Sequence, residues 1–322
     1  MRRRRLVLAA SVLFIAPLPA IAQRTARIPT VGLLWPDMAF SGSLPAFRDE
    51  LKSRGHIEGR TVVIESGHLA RTGDGELDAA AEKLVAQKVD VVLAGFVAAV
   101  RAARKATQTI PIVAVLQVDP VEAGFAKTFA RPGSNVTGVA YIGRVLARKN
   151  LEILKDFVPG LRRVAVLTPS TQTRTWSELQ AAAAALELTL VPVTIPTVAE
   201  LDTRVAPVAQ TGAQAILWMG GTMWGAHGQK VAEALGKTRL PAIYPQVHYA
   251  RSGGLMSYSA DQSNNFRIAA RYVDQILKGA QPGDLPFEQA SKFEFVVNLK
   301  AAKAQGLRIP EAILLRATQV IE

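Results

Sequence analysis

Cysteine is absent from the 322 residues, which excludes disulfides, thiolate metal sites, a cysteine nucleophile and lipidation of an N-terminal cysteine. Aromatic residues make up only 6% and charged residues 20%, whereas 49% of the residues are hydrophobic. That balance is typical of globular domains and excludes an intrinsically disordered chain. Glycine (24) and proline (18) are close to average usage, which excludes a collagenous or low-complexity architecture. The length predicts about two domains.

Long hydrophobic runs are also missing. The apolar stretch Leu6–Ile15 is too short to span a bilayer, which needs about 20 residues. The basic segment Arg2–Arg5 precedes it and the small-x-small segment Ala20–Ala22 follows it, an order typical of a cleaved secretory signal. Residues 1–22 are therefore predicted to be a signal peptide of the general or twin-arginine route, with a membrane anchor as the alternative. Without a cysteine for a lipid anchor, we expect a periplasmic protein.

The basic excess is modest once this signal is removed. The chain has 38 Lys and Arg against 26 Asp and Glu, a net charge of +12. Loss of the four arginines of the signal leaves 34 basic against 26 acidic residues, a net charge of +8. No block of five or more basic residues follows residue 22, so we predict no nucleic-acid partner.

Short apolar segments alternate with amphipathic stretches of helical length from Thr30 onward, which predicts parallel sheets covered by helices. The predicted strands are 30–35, 61–65, 89–93, 110–116, 163–167, 189–193, 213–217, 241–244 and 293–298. The predicted helices are 44–54, 76–87, 97–107, 146–157, 175–186, 199–210, 225–235 and 264–277.

This alternation occurs twice, in residues 30–140 and 162–258, and predicts two similar doubly wound lobes. A single barrel of eight strand–helix units is the alternative. The segment after Tyr258 disfavours the barrel, because one long helix and a Gly/Pro-rich loop at 279–286 break the repeat. That segment is typical of a chain that crosses between two lobes.

Catalytic and metal-binding motifs are missing as well. The sequence has no phosphate-binding loop, no His-Glu-x-x-His, no calcium loop and no Gly-x-Ser-x-Gly. The four histidines are scattered without ligand spacing. We therefore predict no cofactor, no metal and no enzymatic activity.

Polar and aromatic residues follow the predicted strands, where open α/β sheets bind ligands. The candidate ligand-binding residues are Trp35, Asp37, Gly95, Phe96, Gln117, Asp119, Ser170, Thr171, Gly220, Trp224, Tyr244 and Gln246. They include no nucleophile with a base beside it, so they indicate binding rather than catalysis. Helix capping is the alternative role for Asp119, Ser170 and Thr171, and core packing is the alternative for Trp35 and Trp224.

Longer motifs resemble the periplasmic substrate-binding proteins of ABC transporters, in the group that includes tryptophan/tyrosine transporter components. The matching segments include Val31–Leu34, Gly55–Arg60, Ile110–Val113, Arg131–Val139, Pro241–Tyr244, Gly253–Tyr258 and Phe293–Lys300. They run in order along nearly the whole chain beyond the signal. The Pro-Gly-x-Asn-Val-Thr-Gly and Gly-Gly-Leu-Met-Ser-Tyr motifs are the most specific.

The resemblance implies a type I periplasmic-binding-protein fold, in which two Rossmann-like lobes enclose a small organic ligand by hinge closure. It places one lobe at 23–140 plus 259–291 and the other at 141–258 plus 292–322. It also implies crossings near Gly138–Ile142, Ser257–Asp261 and Phe293–Asn298. The expected partners are the ligand and the permease subunits of an ABC importer, with the protein itself a monomer.

The same resemblance suggests ligand roles. Asp37 or Asp119 would bind an ammonium group, and amides after Gly95 or Ser170 would bind a carboxylate. Trp35, Phe96, Trp224 and Tyr244 would form aromatic walls. The loops at 35–38 and 168–173 depart from the pattern, so an aromatic amino acid is only the expected class. A ligand sensor for a membrane receptor kinase and an exported enzyme on the same fold remain alternatives.

Overall fold

The computed structural model describes residues 27–35, 42–69, 74–141, 143–171, 174–220 and 222–322. The predicted signal peptide and Asp37 lie outside the described residues. The strands are β1 (Thr30–Trp35), β2 (Val63–Leu69), β3 (Val91–Gly95), β4 (Ile112–Leu116), β5 (Val136–Ala140), β6 (Arg163–Thr168), β7 (Thr189–Thr194), β8 (Ala215–Trp218), β9 (Ala242–Tyr244), β10 (Met256–Ala260), β11 (Glu288–Gln289), β12 (Phe293–Asn298) and β13 (Gln319–Ile321). The helices are α1 (Leu44–Ser53), α2 (Asp74–Ala86), α3 (Phe96–Ala106), α4 (Gly143–Phe157), α5 (Arg174–Ala185), α6 (Leu201–Val205), α7 (Gly228–Lys237), α8 (Val247–Arg251), α9 (Gln262–Leu277), α10 (Leu299–Gln305) and α11 (Glu311–Arg316).

Two separate sheets confirm the predicted pair of doubly wound α/β lobes. The first sheet has the order β2-β1-β3-β4-β5-β11, and its pairs are all parallel. The second has the order β7-β6-β8-β9-β10-β12-β13, with an antiparallel pair only at β10 and β12. Both begin with the 2-1-3-4-5 order of flavodoxin-like folds. We call the first sheet with α1–α3 and α9 the first lobe, and the second sheet with the remaining helices the second lobe.

Helices cover both faces of each sheet because the strands are apolar on both sides. In the first lobe, Val31, Leu33 and Trp35 of β1 pack with α1 and α9, whereas Leu34 packs with α2 and α3. The long helix α9 begins where Asp261 accepts a hydrogen bond from the backbone N–H of Asn264, at 2.9 Å. This N-cap and the buried stripe of α9 explain why the tail returns to the first sheet.

The predicted helix at 199–210 is wrong in its length. The structure has only the short helix α6 between two 3₁₀ segments, Val198–Glu200 and Val208–Thr211. Pro207 lies between α6 and the second segment and cannot donate a helical hydrogen bond. The short elements β5, β11, α8 and β13 were not predicted, because each has too few residues to show a period.

Three short segments connect the lobes. The chain passes from β5 to α4 after Tyr141, from β10 to α9 at Asp261, and from β11 to β12 at residues 290–292. The third crossing was expected at Phe293–Asn298, but it lies before these residues. Phe293–Asn298 form β12, which already pairs with β10 and β13 in the second sheet. The second and third crossings are bonded to each other, because the Asp261 N–H donates to the Lys292 carbonyl at 2.9 Å.

Candidate ligand-binding site

The chain crossings bring the carboxyl edges of the two sheets toward each other. β5 and β10 each end at a crossing, and each is followed at once by a helix that packs on the opposite sheet. β11 also ends at a crossing, and β12 begins beside the carboxyl end of β10, where Phe293 pairs with Ala260. All three connections therefore join one carboxyl edge to the other. Such edges are where doubly wound sheets bind ligands.

The edge of the first sheet carries a row of residues that share one face. Side chains alternate along a strand, so residues two apart point to the same side. Trp35 continues the face of Leu33, Gln117 that of Val115, and Tyr141 that of Val139. This is the face covered by α1 and α9. The row crosses the point between β1 and β3 where the strand order reverses, which is the preferred ligand position in such sheets.

Trp35, Gly95 and Phe96 form the aromatic part of this row. The indole of Trp35 lies directly on Gly95, where an added Cβ would come within 2.1 Å of the ring. Phe96 meets Trp35 edge to face with ring centroids 6.0 Å apart, and its backbone is left-handed with φ 65°. That conformation is strained for a phenylalanine, and such strain concentrates at functional sites. Phe96 is half-buried, whereas Trp35 is 6% exposed.

Gln117 belongs to a hydrogen-bonded group that the sequence did not reveal. The hydroxyl of Tyr141, at the first crossing, contacts the side chains of Gln262 and Gln117. Burial raises the pKa of the Tyr141 phenol above its usual range, so the phenol keeps its proton and stays uncharged. Three different elements of the first lobe therefore meet at one polar contact beside the first and second crossings.

Asp119 serves as a cap in the loop after β4. Its Oδ1 accepts hydrogen bonds from the backbone N–H groups of Val121, at 2.8 Å, and Glu122, at 3.2 Å. Asp119 therefore caps the turn at residues 120–124, not a helix as the alternative role required. A ligand contact of Asp119 stays a prediction.

The loop after β6 places Ser170 and Thr171 at the edge of the second sheet. Both are half-buried. The hydroxyl of Thr168, at the end of β6, donates to the Ser170 carbonyl at 2.9 Å. Gln246, also half-buried, lies at the start of α8 and makes no side-chain cap. These three predicted residues lie at one carboxyl edge.

An aromatic cluster fills the remainder of that edge. Trp218 meets Trp224 edge to face at 5.1 Å between centroids, and Tyr244 stacks on Tyr249 at 5.4 Å. These four side chains are at most 1% exposed. Gly220 lies above them in a left-handed conformation, φ 55°. The structure thus places the predicted Trp224 and Tyr244 in the core of the second lobe.

His248 packs against this aromatic cluster with its ring centroid 4.0 Å from that of Tyr249. Its Nε2 is buried and has no hydrogen-bond partner among the described residues. Burial lowers the pKa of His248 to about 4, so the imidazole is neutral at ordinary pH.

Four residues of the two edges were missed by sequence reasoning: Tyr141, Trp218, Tyr249 and Gln262. Tyr141 and Trp218 occupy strand ends, the same signal that selected the other candidates. Gln262 follows a strand of the other lobe, and Tyr249 lies inside the helix after β9, so neither occupies a strand end and neither had such a signal. In the described part of the chain no group of three or more potential metal ligands occurs. No helix of the described ranges is both long and apolar enough to cross a membrane.

Comparison with known proteins finds a family model and a relative that match most of the chain. The family model described as "ABC transporter substrate binding protein" matches residues 42–321. The "Tyrosine-binding protein" of Clostridioides difficile (strain R20291) is 24% identical over 277 residues, covering 84% of this chain and 77% of the relative.

Two solved structures share the fold. A conserved domain protein from Vibrio cholerae superposes with a TM-score of 0.81 at 24% identity, covering 91% of this chain and 100% of that one. The ABC domain in complex with L-Trp from Streptococcus pneumoniae superposes with a TM-score of 0.78, also at 24% identity, covering 91% and 99% of the two chains.

Proposed function

The chain belongs to the ABC transporter substrate-binding protein family, and from that premise we propose that it captures an aromatic amino acid between its lobes and delivers it to the permease of an importer. Cleft closure traps the ligand, and the closed form docks on the permease. Ligand drives closure through its higher affinity for the closed state.

The observation that carries this proposal is the meeting of the two carboxyl edges at three short crossings. The first two crossings carry members of one polar contact, since Tyr141 follows β5 and Gln262 follows Asp261, and Gln117 joins them. A hinge at these segments brings the half-buried ring of Phe96 toward Ser170 and Thr171. One edge supplies an aromatic surface, and the other supplies hydroxyl groups for the polar end of an amino acid.

Residue roles follow from this arrangement. Phe96 contacts the aromatic ring of the ligand, and Trp35 on Gly95 supports it from behind. Ser170, Thr171 and Gln246 bind the polar groups with the backbone at Gly220, and Asp37 or Asp119 pairs with the ammonium. Trp224 and Tyr244 back the wall of the second lobe. The names of two similar proteins, one tyrosine-binding and one in complex with L-Trp, support an aromatic ligand.

Location and organisation form part of the same proposal. Residues 1–22 direct export and are removed, and the protein acts in the periplasm as a monomer without a lipid anchor. The lobes comprise 23–140 plus 259–291 and 141–258 plus 292–322. N-terminal sequencing of the exported protein tests the cleavage after Ala22.

Isothermal titration of the stripped protein tests the ligand. Residues 23–322, unfolded and refolded to remove carried-over ligand, are titrated with L-tryptophan, L-tyrosine, L-phenylalanine, L-leucine and D-ribose. We expect binding of aromatic amino acids only. A saturating ligand at 100 times its Kd stabilises the protein by about 2.7 kcal/mol, which a thermal shift also detects.

Phe96→Ala should weaken that binding at least about tenfold, because a buried aromatic contact at a ligand is worth more than 1 kcal/mol. Phe129→Ala is the matched control, since Phe129 is also half-buried and also meets one ring edge to face, Phe287 at 6.5 Å. Equal affinity of the two variants, or binding of ribose or leucine alone, contradicts the proposal.

A further inference from the structure

Asn265 is a buried amide whose hydrogen bonds are not made. The residue is 0% exposed, and neither Oδ1 nor Nδ2 has a partner among the described residues. Asn150 in α4 is equally buried at 1%, but its Nδ2 donates to the Leu146 carbonyl at 2.9 Å and lies 3.4 Å from that of Tyr258. A buried polar group without a partner is costly, and native proteins contain few of them. The Oδ1 of Asn150 also lacks a partner among the described residues, so one of its two polar atoms is bonded, whereas Asn265 has neither bonded.

Its place in α9 sets Asn265 behind the ligand edge of the first sheet. Gln262, one turn earlier on the same face of the helix, reaches the Tyr141 hydroxyl beside β5. Phe266, the next residue, packs against Trp35 of β1 with ring centroids 5.1 Å apart. Asn265 therefore lies in α9 between a residue that contacts Tyr141 and a residue that contacts Trp35.

Gln262 adds a second unpartnered atom, because its Oε1 is buried without a partner among the described residues. The two side chains together offer two carbonyl oxygens and one amide NH₂ group. A carboxylate would be repelled by both carbonyl oxygens. An ammonium group would be repelled by the positive end of the α9 dipole. A neutral hydroxyl satisfies the set, since it donates to one carbonyl oxygen and accepts from the amide.

We propose that Gln262 and Asn265 form a polar subsite for a hydroxyl group at the far end of the ligand. The inference rests on the proposed function and names the selectivity within it: a hydroxylated aromatic amino acid over the same ligand without the hydroxyl. Gln262 is half-buried and begins α9 directly after Asp261 of the second crossing, three residues before Asn265. The ligand hydroxyl would bond the unpartnered Oε1 of Gln262 and the amide of Asn265, which favours the liganded closed state.

The test compares L-tyrosine with L-phenylalanine by calorimetric titration of the stripped protein. We expect the Kd for L-phenylalanine to be at least about tenfold higher, because a buried group built to bond a hydroxyl rejects the analogue without it. Asn265→Leu keeps the branched shape and should remove this preference by weakening L-tyrosine binding alone. It should also raise the Tm of the unliganded protein by about 2 °C, since an unpaired polar group is removed.

Asn150→Leu is the matched control and should lower the Tm while leaving the tyrosine preference intact, because it removes the hydrogen bond that Nδ2 donates to the Leu146 carbonyl. Asn265→Ala serves if leucine does not pack, and should abolish the preference equally. Equal Kd values for the two amino acids in the unaltered protein, or a preference that survives in both Asn265 variants, overturn the subsite and leave the proposed function standing. Absence of binding of every aromatic amino acid overturns both.

Discussion

The carboxyl edges of the two sheets share one strand order but differ in side-chain character. The edge of the first sheet presents half-buried groups, Phe96 and Gln117, beside a strained backbone. The edge of the second sheet is filled by Trp218, Trp224, Tyr244 and Tyr249, each at most 1% exposed. The same strand order therefore ends in a partly exposed edge in the first lobe and in a packed aromatic core in the second lobe.

The difference shows that an aromatic residue at a strand end is not by itself evidence of ligand contact. In the second lobe four rings cover one another, so their surface is already used for folding. In the first lobe Gly95 lets Trp35 lie flat on the sheet, and Phe96 extends beyond it. We therefore expect mutations at the second edge to change mainly stability, and mutations at the first edge to change mainly affinity.

Trp218→Ala should give the largest effect. Removal of a fully buried indole that contacts Trp224 and Tyr249 should lower the free energy of unfolding by about 3–5 kcal/mol. Urea denaturation followed by circular dichroism measures it, and Trp218→Phe should lose about half as much. A variant that keeps its stability but loses ligand affinity would place Trp218 in the contact surface and end the comparison.

The next largest effect should be the loss of stability in acid, which differs between a residue of the second lobe and one of the first. The pKa of His248 lies near 4, below its ordinary 6.5, because burial disfavours the charged form. The unfolded chain then binds more protons, so the stabilising contribution is complete above pH 6.5 and is lost as the pH falls toward 4. We expect a loss of about 2 kcal/mol by pH 5.

In His248→Gln the slope of stability against pH between 6.5 and 4 should flatten. Asp274 in the first lobe behaves differently. Burial raises its pKa, but hydrogen bonds and charges of Lys278 and His56 outweigh this and hold it below 3.8, so its own contribution is lost only at lower pH. An unchanged slope in the glutamine variant would show that the loss does not come from His248.

Gly95→Ala should give the smallest change in stability, about 1–2 kcal/mol, because Trp35 must move away from the new methyl group. Its backbone, φ −114° and ψ 147°, suits alanine, so the cost is steric. Gly254→Ala is the matched variant in the second lobe, where the methyl would lie 2.6 Å from Tyr244. Both should lose stability, but only Gly95→Ala should also weaken aromatic amino acid binding in a titration. If the two variants bound the ligand with equal affinity, the expected division between an edge that governs affinity and an edge that governs stability would be wrong.

Much of the fold could be predicted from local pattern. The strand at Phe293–Asn298 and the first strand were predicted with the bounds that the structure has, since each shows an unambiguous apolar run. The prediction failed where a short element or a proline interrupts the period, as at β5 and Pro207. The candidate list likewise came from strand ends alone. It could find Trp35 and Gln117 but not Gln262, which approaches the same edge from a helix that begins 145 residues after Gln117.

The sequence by itself determined the alternation of strands and helices, the two-lobed α/β class and the resemblance to a binding-protein family, because periodicity and motifs are local properties of the chain. Only the tertiary structure decided which strand ends carry half-buried side chains and which are sealed by neighbouring rings. It alone showed that neither polar atom of the buried Asn265 has a partner among the described residues, while the Nδ2 of Asn150 is bonded. Burial and hydrogen bonding depend on groups from distant segments, and no local pattern specifies which segments meet.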